Sequence, residues 1–273
     1  MREDAKSTGD TMKRKTLHFR SPAWLWPWFL LLAAFGATCF GQAPITNGLV
    51  ARWPGDGNAK DSTGHFDGEV SGGLRYVSGP VAAQAFQFDG GAAKVDFGPD
   101  AGNFGTRDFS VAFWIKTASR TPQEEFLGKR ASCDAGGSFW DAILGSAQDP
   151  RGLPVGVLSF GFGAGDNRAT YNVDSSHPIN DGQWHHIVWV RQSTSSGSCS
   201  GLVYVDGALD NSRTYPETVD IANHSPLVMG HEVCECCDGA RPYSGAAAEL
   251  QLFSHALSAE EILALFKAGK TDQ

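Results

Sequence analysis

DGQWHHIVWV (181–190) and GLVYVDGAL (201–209) read as two neighbouring strands of an antiparallel sheet. In the first run His185, Ile187 and Trp189 point one way, and His186, Val188 and Val190 the other. That is the two-residue period of an extended chain. In the second, Leu202 and Tyr204 oppose Val203 and Val205, and Asp206-Gly207 then turns the chain. Glycine accepts the positive φ that a tight hairpin demands, so an Asp-Gly pair between alternating runs marks such a turn. The segment announces a sheet rather than an active site.

Outward from this pair, short strands recur between Gly, Asn and Asp turns, with no repeat and no Pro- or Ser-rich linker in residues 42–273. GLVARW (48–53) opens the series and PGDGNAKDSTGHFDGE (54–69) is a long polar loop. AFQFDG (85–90), AKVDFG (93–98), DFSVAFWIKT (108–117), FLGKR (126–130) and FWDAIL (139–144) follow. GVLSFGFG (156–163), ATYNV (169–173), PLVMG (226–230) and AELQLF (248–253) complete it. The pattern is that of an all-β sandwich or barrel. Phe109, Val111, Phe113 and Ile115 form a core face, with Trp114 on the other side. In LSAEEILALF, Ser258 and Glu261 make a capping box, and Ile262, Leu265 and Phe266 form the buried stripe of a short helix.

The chain has 273 residues, 41% of them hydrophobic, enough for one large sandwich. Lys13, Arg14, Lys15 and Arg20 precede an apolar stretch at 28–38, the layout of a secretory signal and short for a membrane span. We expect residues 1–41 to be a signal peptide, Met12 being a more usual start than Met1, with cleavage after Gly41. The alternatives are lipid attachment at Cys39 and an uncleaved anchor. The expected location is secreted or extracytoplasmic, without membrane contact after cleavage. Residues 42–273 then carry 16 basic and 27 acidic residues, a net of −11. That surface disfavours nucleic acid and anionic membranes, and suits a module that takes divalent cations. Export implies disulfides among Cys133, Cys199, Cys234, Cys236 and Cys237, with one thiol left over and the pairing open. The expectation is that Cys133 and Cys199 each reach the 234–237 cluster.

Taken in order, GLVARWPGDGNAKDSTG, FSVAFWIK, DGQWHHIVWV with YVDG, and YSGAAAELQLFSHALSAEEI resemble the laminin G-like domains of the concanavalin A-like lectin/glucanase superfamily across about residues 47–268. The resemblance implies a jelly-roll of two antiparallel sheets whose concave side and rim loops bind glycans, proteins or calcium. One position departs: where such domains commonly have an acidic pair in the last strand, this chain has Ala248-Glu249.

Glycoside hydrolysis needs two carboxylates flanking one bond. Asp67 and Glu69 are the alternate-position pair, with Ser71 where a third acid belongs, and their setting reads as a solvated turn. Asp141 is a lone strand acid, a general acid or ligand on one reading and a loop cap on the other. Gly197-Ser198-Cys199-Ser200-Gly201 mimics a nucleophile elbow, but that motif works only between strand and helix. His231-Glu232 lacks the second histidine of a zinc-protease helix, and the thiols that follow read as disulfides before zinc. His185 and His186 face opposite sides and are no metal pair. Calcium in a structural role is the expected ion, at Asp56, Asn58 and Asp61 in one Gly-containing loop; the alternative is a polar Asx turn without metal.

For carbohydrate the expected tools are exposed aromatics with amide and acid groups beside them. Trp114, Trp140, Phe162, Tyr171 and Tyr243 are available, and core packing competes for each. Trp140, Asp141, Tyr171 and Tyr243 form the expected ligand set, because cysteines tie down the loops of Trp140 and Tyr243. The reading is a secreted, non-catalytic recognition module for a glycan or a cell-surface protein. A glycoside hydrolase or polysaccharide lyase on the same fold, and a structural cell-envelope module, are the alternatives.

Overall fold

Alternating β-branched and aromatic residues make strands here because each run finds an apolar layer on at least one side. The computed structural model describes residues 45–121, 123–132, 137–145, 152–165, 170–231 and 241–270. The strands, in chain order, begin with β1 (Leu49–Trp53), β2 (Glu69–Ser71), β3 (Arg75–Ser78), β4 (Gln84–Asp89) and β5 (Lys94–Asp96). Next come β6 (Phe109–Lys116), β7 (Glu124–Arg130), β8 (Phe139–Leu144), β9 (Leu158–Gly163) and β10 (Thr170–Asp174). β11 (Trp184–Ser193), β12 (Cys199–Val205), β13 (Ala208–Tyr215), β14 (Leu227–Met229), β15 (Arg241–Pro242) and β16 (Ser244–Phe253) follow, and α1 (Ala259–Lys270) ends the series.

Two sheets stack face to face. The first runs β13-β12-β11-β6-β16-β4-β3 with β1 beside β16, and the second β10-β9-β8-β7-β14-β5-β2 with the short β15 beside β7. All pairings are antiparallel except that of β15, so the expected all-β jelly-roll with a terminal helix is what the chain forms. β11 pairs with β12, and β12 turns through Asp206 (φ 51) and Gly207 (φ 80) into β13. Both residues have the positive φ of a tight hairpin turn.

The inner faces close over an aromatic core. Trp189 lies edge-on to Phe109 at 4.9 Å and stacked on Phe160 at 5.2 Å between ring centroids. Such fully buried side chains each contribute on the order of 1.5–3 kcal/mol of apolar transfer.

The outer face of the first sheet is covered as well. Val188, Val190 and Ala112 pack with Ile262 of α1. Trp114 is therefore not an exposed counterpart to the core face; it is 3% exposed, against Phe266 at 5.9 Å and His186 at 5.2 Å. The helix begins with the reciprocal bonds read from the sequence, Ser258 N to Glu261 Oε2 at 2.8 Å and Glu261 N to Ser258 Oγ at 3.3 Å.

β2, β3, β13 and β15 go beyond the strands legible in the sequence. All are short or polar, and β13 leaves most of its residues in solvent, so no apolar period betrays it.

Candidate functional site

Strand parity decides the fate of the expected ligand residues. On β8, Trp140 alternates inward with Ala142 and Leu144. It is fully buried and its Nε1 donates to Gly102 O at 2.9 Å, so no face is free for a sugar. Tyr243 is equally buried, its hydroxyl donating to Lys116 O at 3.0 Å, and burial pushes its pKa well above the usual value. Tyr171 is half-buried against Phe162 and Tyr215, with its hydroxyl 3.5 Å from Glu217. Asp141 points to the outer side of the second sheet, but it is 3% exposed and paired with Arg130, whose guanidinium covers Phe139 at 3.9 Å. Gly161 makes room for this cluster: a Cβ there would stand 2.6 Å from Asp141 Oδ1 and 3.1 Å from Asn172 Oδ1. These four residues are not one site, and Trp140 and Tyr243 are core.

The open surface lies on the other sheet. A groove of about 720 Å³ crosses one end of the outer face of the first sheet. Its base is a row of cross-strand partners, Trp184–Lys116–Ala246–Gln87, on β11, β6, β16 and β4. Partners directly opposite share a face, so this row lies on the same side as Trp114, His186 and Ala248, one step beyond the part that α1 covers. Trp184 is half-buried, and the small Ala246 leaves the trough between Lys116 and Gln87 open. The walls are pinned by Thr117 Oγ1 to Ser244 O at 2.7 Å, Gly182 N to Thr117 O at 2.9 Å and Asn180 Nδ2 to Ser119 O at 2.8 Å. Gly245 is required, because a Cβ there would meet the Tyr243 hydroxyl at 2.2 Å.

An indole face, an ammonium, the amide oxygen of Gln87 and the hydroxyls of Ser78 and Ser244 therefore meet in one groove, while the Thr117 and Ser119 hydroxyls and the Gln87 Nε2 are bonded within the protein. Among the described residues no carboxylate lines it. Sequence reasoning passed over Trp184, although its parity with His186 and Val188 in the opening run was the signal.

Behind the wall sits Glu124, 1% exposed. Ser119 Oγ donates to its Oε1 at 2.7 Å, and its Oε2 has no hydrogen-bond partner among the described residues. Burial pushes its pKa up to about 7 despite the bonds from Ser119 and the Ser244 N–H. On β11, His185 is held between Asp206 at 3.0 Å and Asp181 at 3.2 Å, and the hydrogen bond to Asp206 raises its pKa.

The polar loop does not fit calcium. Asp61 Oδ1 accepts from Arg52 N and Thr63 N, and its Oδ2 from Thr63 Oγ1, His65 N and Phe66 N. Asp56 Oδ1 accepts from Gln84 N, and Asn58 Oδ1 from Lys60 N. Calcium takes six to eight free oxygens, whereas these are turned to separate N–H and O–H donors. Asp67 is occupied too, by Lys60 Nζ at 2.6 Å and Asp61 N at 3.0 Å.

Cys199 corrects the disulfide expectation at its position: it is a buried free thiol on the core side of β12, with Sγ donating to Glu217 O at 3.3 Å. Cys133, Cys234, Cys236, Cys237 and the expected signal at 1–41 lie outside the described residues.

Residues 89–263 match the Laminin_G_3 family pattern of the concanavalin A-like lectin/glucanases superfamily. Comparison with curated proteins gives no match. Among solved structures, the chain is similar to domain 4 of AbnA, a GH43 extracellular arabinanase from Geobacillus stearothermophilus, in complex with arabinotriose. That likeness has 21% identity, a TM-score of 0.60, and covers 80% of this chain and 97% of that one. The binding domain of Paraclostridial Mosquitocidal Protein 1 aligns at 17% identity and TM-score 0.60, covering 80% of this chain and 52% of that one. The botulinum neurotoxin serotype D ligand binding domain in complex with N-acetylneuraminic acid aligns at 15% and 0.56, covering 81% and 50%. The chain thus spans about half the length of these toxin domains, and at such identities the likeness shows the fold alone.

Proposed function

We propose that this chain, which belongs to the concanavalin A-like lectin/glucanases superfamily, is a non-catalytic module that binds a glycan in the groove over Trp184. The observation that carries this reading is a half-buried indole set beside an amide oxygen, an ammonium and the hydroxyls of Ser78 and Ser244 in one open trough. A pyranose or furanose ring presents an apolar face and a polar rim. The indole takes the face, while Lys116, the Gln87 carbonyl oxygen and the hydroxyls of Ser78 and Ser244 take the rim. The arabinotriose and N-acetylneuraminic acid complexes of similar folds support glycan as the ligand class. Secretion belongs to the same proposal, since the basic-then-apolar N-terminal stretch would bring the module to where polysaccharides are met.

The hydrolase or lyase alternative is less well supported. Hydrolysis by a carboxylate pair needs acids roughly 5–9.5 Å apart, and the groove lining holds none among the described residues. A glycan array including arabinan and sialylated oligosaccharides tests the proposal. Binding that falls about tenfold or more in Trp184→Ala supports it. A blank array with folded protein favours the structural-module alternative, and release of reducing sugar would establish an enzyme.

A further inference from the structure

The row that floors the groove does not end at Gln87. β3 continues the first sheet beyond β4, and there Arg75 stands directly opposite Gln87. Five partners thus share one line, Trp184, Lys116, Ala246, Gln87 and Arg75. Parity fixes the side: Tyr76 and Phe86 face the core, so their neighbours Arg75 and Gln87 point outward. Adjacent strands lie about 4.8 Å apart, so the line runs roughly 19 Å from Trp184 to Arg75, with roughly 14 Å between Lys116 and Arg75.

Charge along this line is of one sign. Lys116 and Arg75 are both exposed, and among the described residues neither forms a salt bridge. Arg52, Lys60 and Arg130, by contrast, are taken by Glu249, Asp67 and Asp141. The acids at this end of the sheet are turned elsewhere. Asp181 accepts from Gln183 N at 2.8 Å and lies 3.2 Å from His185 Nε2, Asp89 accepts from Gly91 N at 2.9 Å, and Glu124 is buried behind Ser119. None of the three lines the groove. Gln87 Nε2 is bonded to Phe88 O at 2.9 Å and Gly245 O at 3.0 Å, so the side chain offers its carbonyl oxygen, an acceptor for a hydroxyl, between the two cations.

We infer that the groove selects an acidic glycan, laid across the strands with one ring on Trp184 and anionic groups at Lys116 and Arg75. The inference rests on the glycan reading of the groove and narrows it. The shared chemistry is an oxyanion, carboxylate or sulfate ester. A guanidinium meets either through parallel N–H donors, and an ammonium supplies a point charge. A neutral glycan would use the indole and the hydroxyls but leave both cations without a counter-charge. The excess of acidic residues over 42–273, 27 against 16 basic, does not oppose this. Nucleic acids and membranes meet a protein over a broad front. A single sugar chain in the groove, with a screening length of about 8 Å in physiological salt, feels chiefly the cations beside it.

The test is calorimetric titration of the full chain with an oligogalacturonate, the same oligomer as its neutral methyl ester, and a sulfated galactan oligosaccharide. An acidic oligomer should bind about tenfold tighter than the methyl ester at low salt, an advantage that shrinks as salt rises toward about 1 M. The tighter of the two acidic oligomers names the oxyanion. Lys116→Gln and Arg75→Gln should each weaken its binding about threefold, and the double variant about tenfold. Arg213→Gln, on the far edge strand β13, should leave it unchanged. Methyl ester binding as tight as that of the acids, still lost in Trp184→Ala, would overturn the acidic assignment and spare the groove. Equal weakening by Arg213→Gln, or no binding of either acidic oligomer, would also overturn the assignment. Binding indifferent to Trp184→Ala would overturn the groove reading itself.

Discussion

The outer faces of the two sheets carry similar residue types and do different things with them. On the second sheet Asp141, Arg130 and Phe139 close on one another over Gly161, and the nearest tryptophan, Trp140, faces inward. On the first sheet α1 covers the rows around Val188 and Trp114 and stops short of the row of Trp184. What makes an aromatic residue available is therefore strand parity together with the length of the covering element. Residue type alone does not separate a ligand platform from a core.

The harshest way to break this comparison is Trp140→Ala. Removing a fully buried indole should cost about 3–5 kcal/mol by denaturant titration, with the glycan affinity of the folded fraction unchanged. If stability were unaffected and binding lost, the roles of the two faces would be reversed.

Glu124→Gln follows. The folded pKa of about 7 lies above the ordinary value of 4.5, so between those limits the folded state holds more protons than the unfolded one. The contribution of Glu124 to stability is then fully present below pH 4.5 and is lost as pH rises through 7, by about 3 kcal/mol in all. The neutral glutamine should match the wild type at pH 4 and exceed it at pH 8. Parallel pH profiles of the two proteins would contradict the buried, unpaired placement of Oε2.

A smaller effect is expected at Asp61. Its carboxylate serves five donors, so Asp61→Ala should lower stability by about 2 kcal/mol. Adding a chelator to the wild type should leave the thermal midpoint where it is. A chelator-induced drop would restore calcium to this loop. Least disturbed in stability should be Trp184→Ala, at about 1 kcal/mol, although its binding loss is the largest.

Much of the fold is written in local pattern. The alternation through β11, the Asp206-Gly207 turn and the Ser258–Glu261 capping box each follow from nearest-neighbour chemistry. The candidate site is less legible, for two physical reasons. Both faces of β11 are buried, one by the second sheet and one by a helix far along the chain, so alternation could not say which residues stay wet. Trp184 looks like its neighbours until the end of α1, where Gly269 lies against the Trp114 ring, is placed. Cys199 likewise shows no local sign that its side chain joins the core beside Tyr215.

The most direct measurement is nuclear magnetic resonance of the tryptophan indole N–H groups during titration with a glycan that the protein binds. The Trp184 resonance should move and saturate with the binding curve, while that of Trp140, bonded to Gly102 O, stays in place. Movement of Trp140 with Trp184 unmoved would place recognition away from the first sheet's outer face and contradict a glycan site in the Trp184 groove.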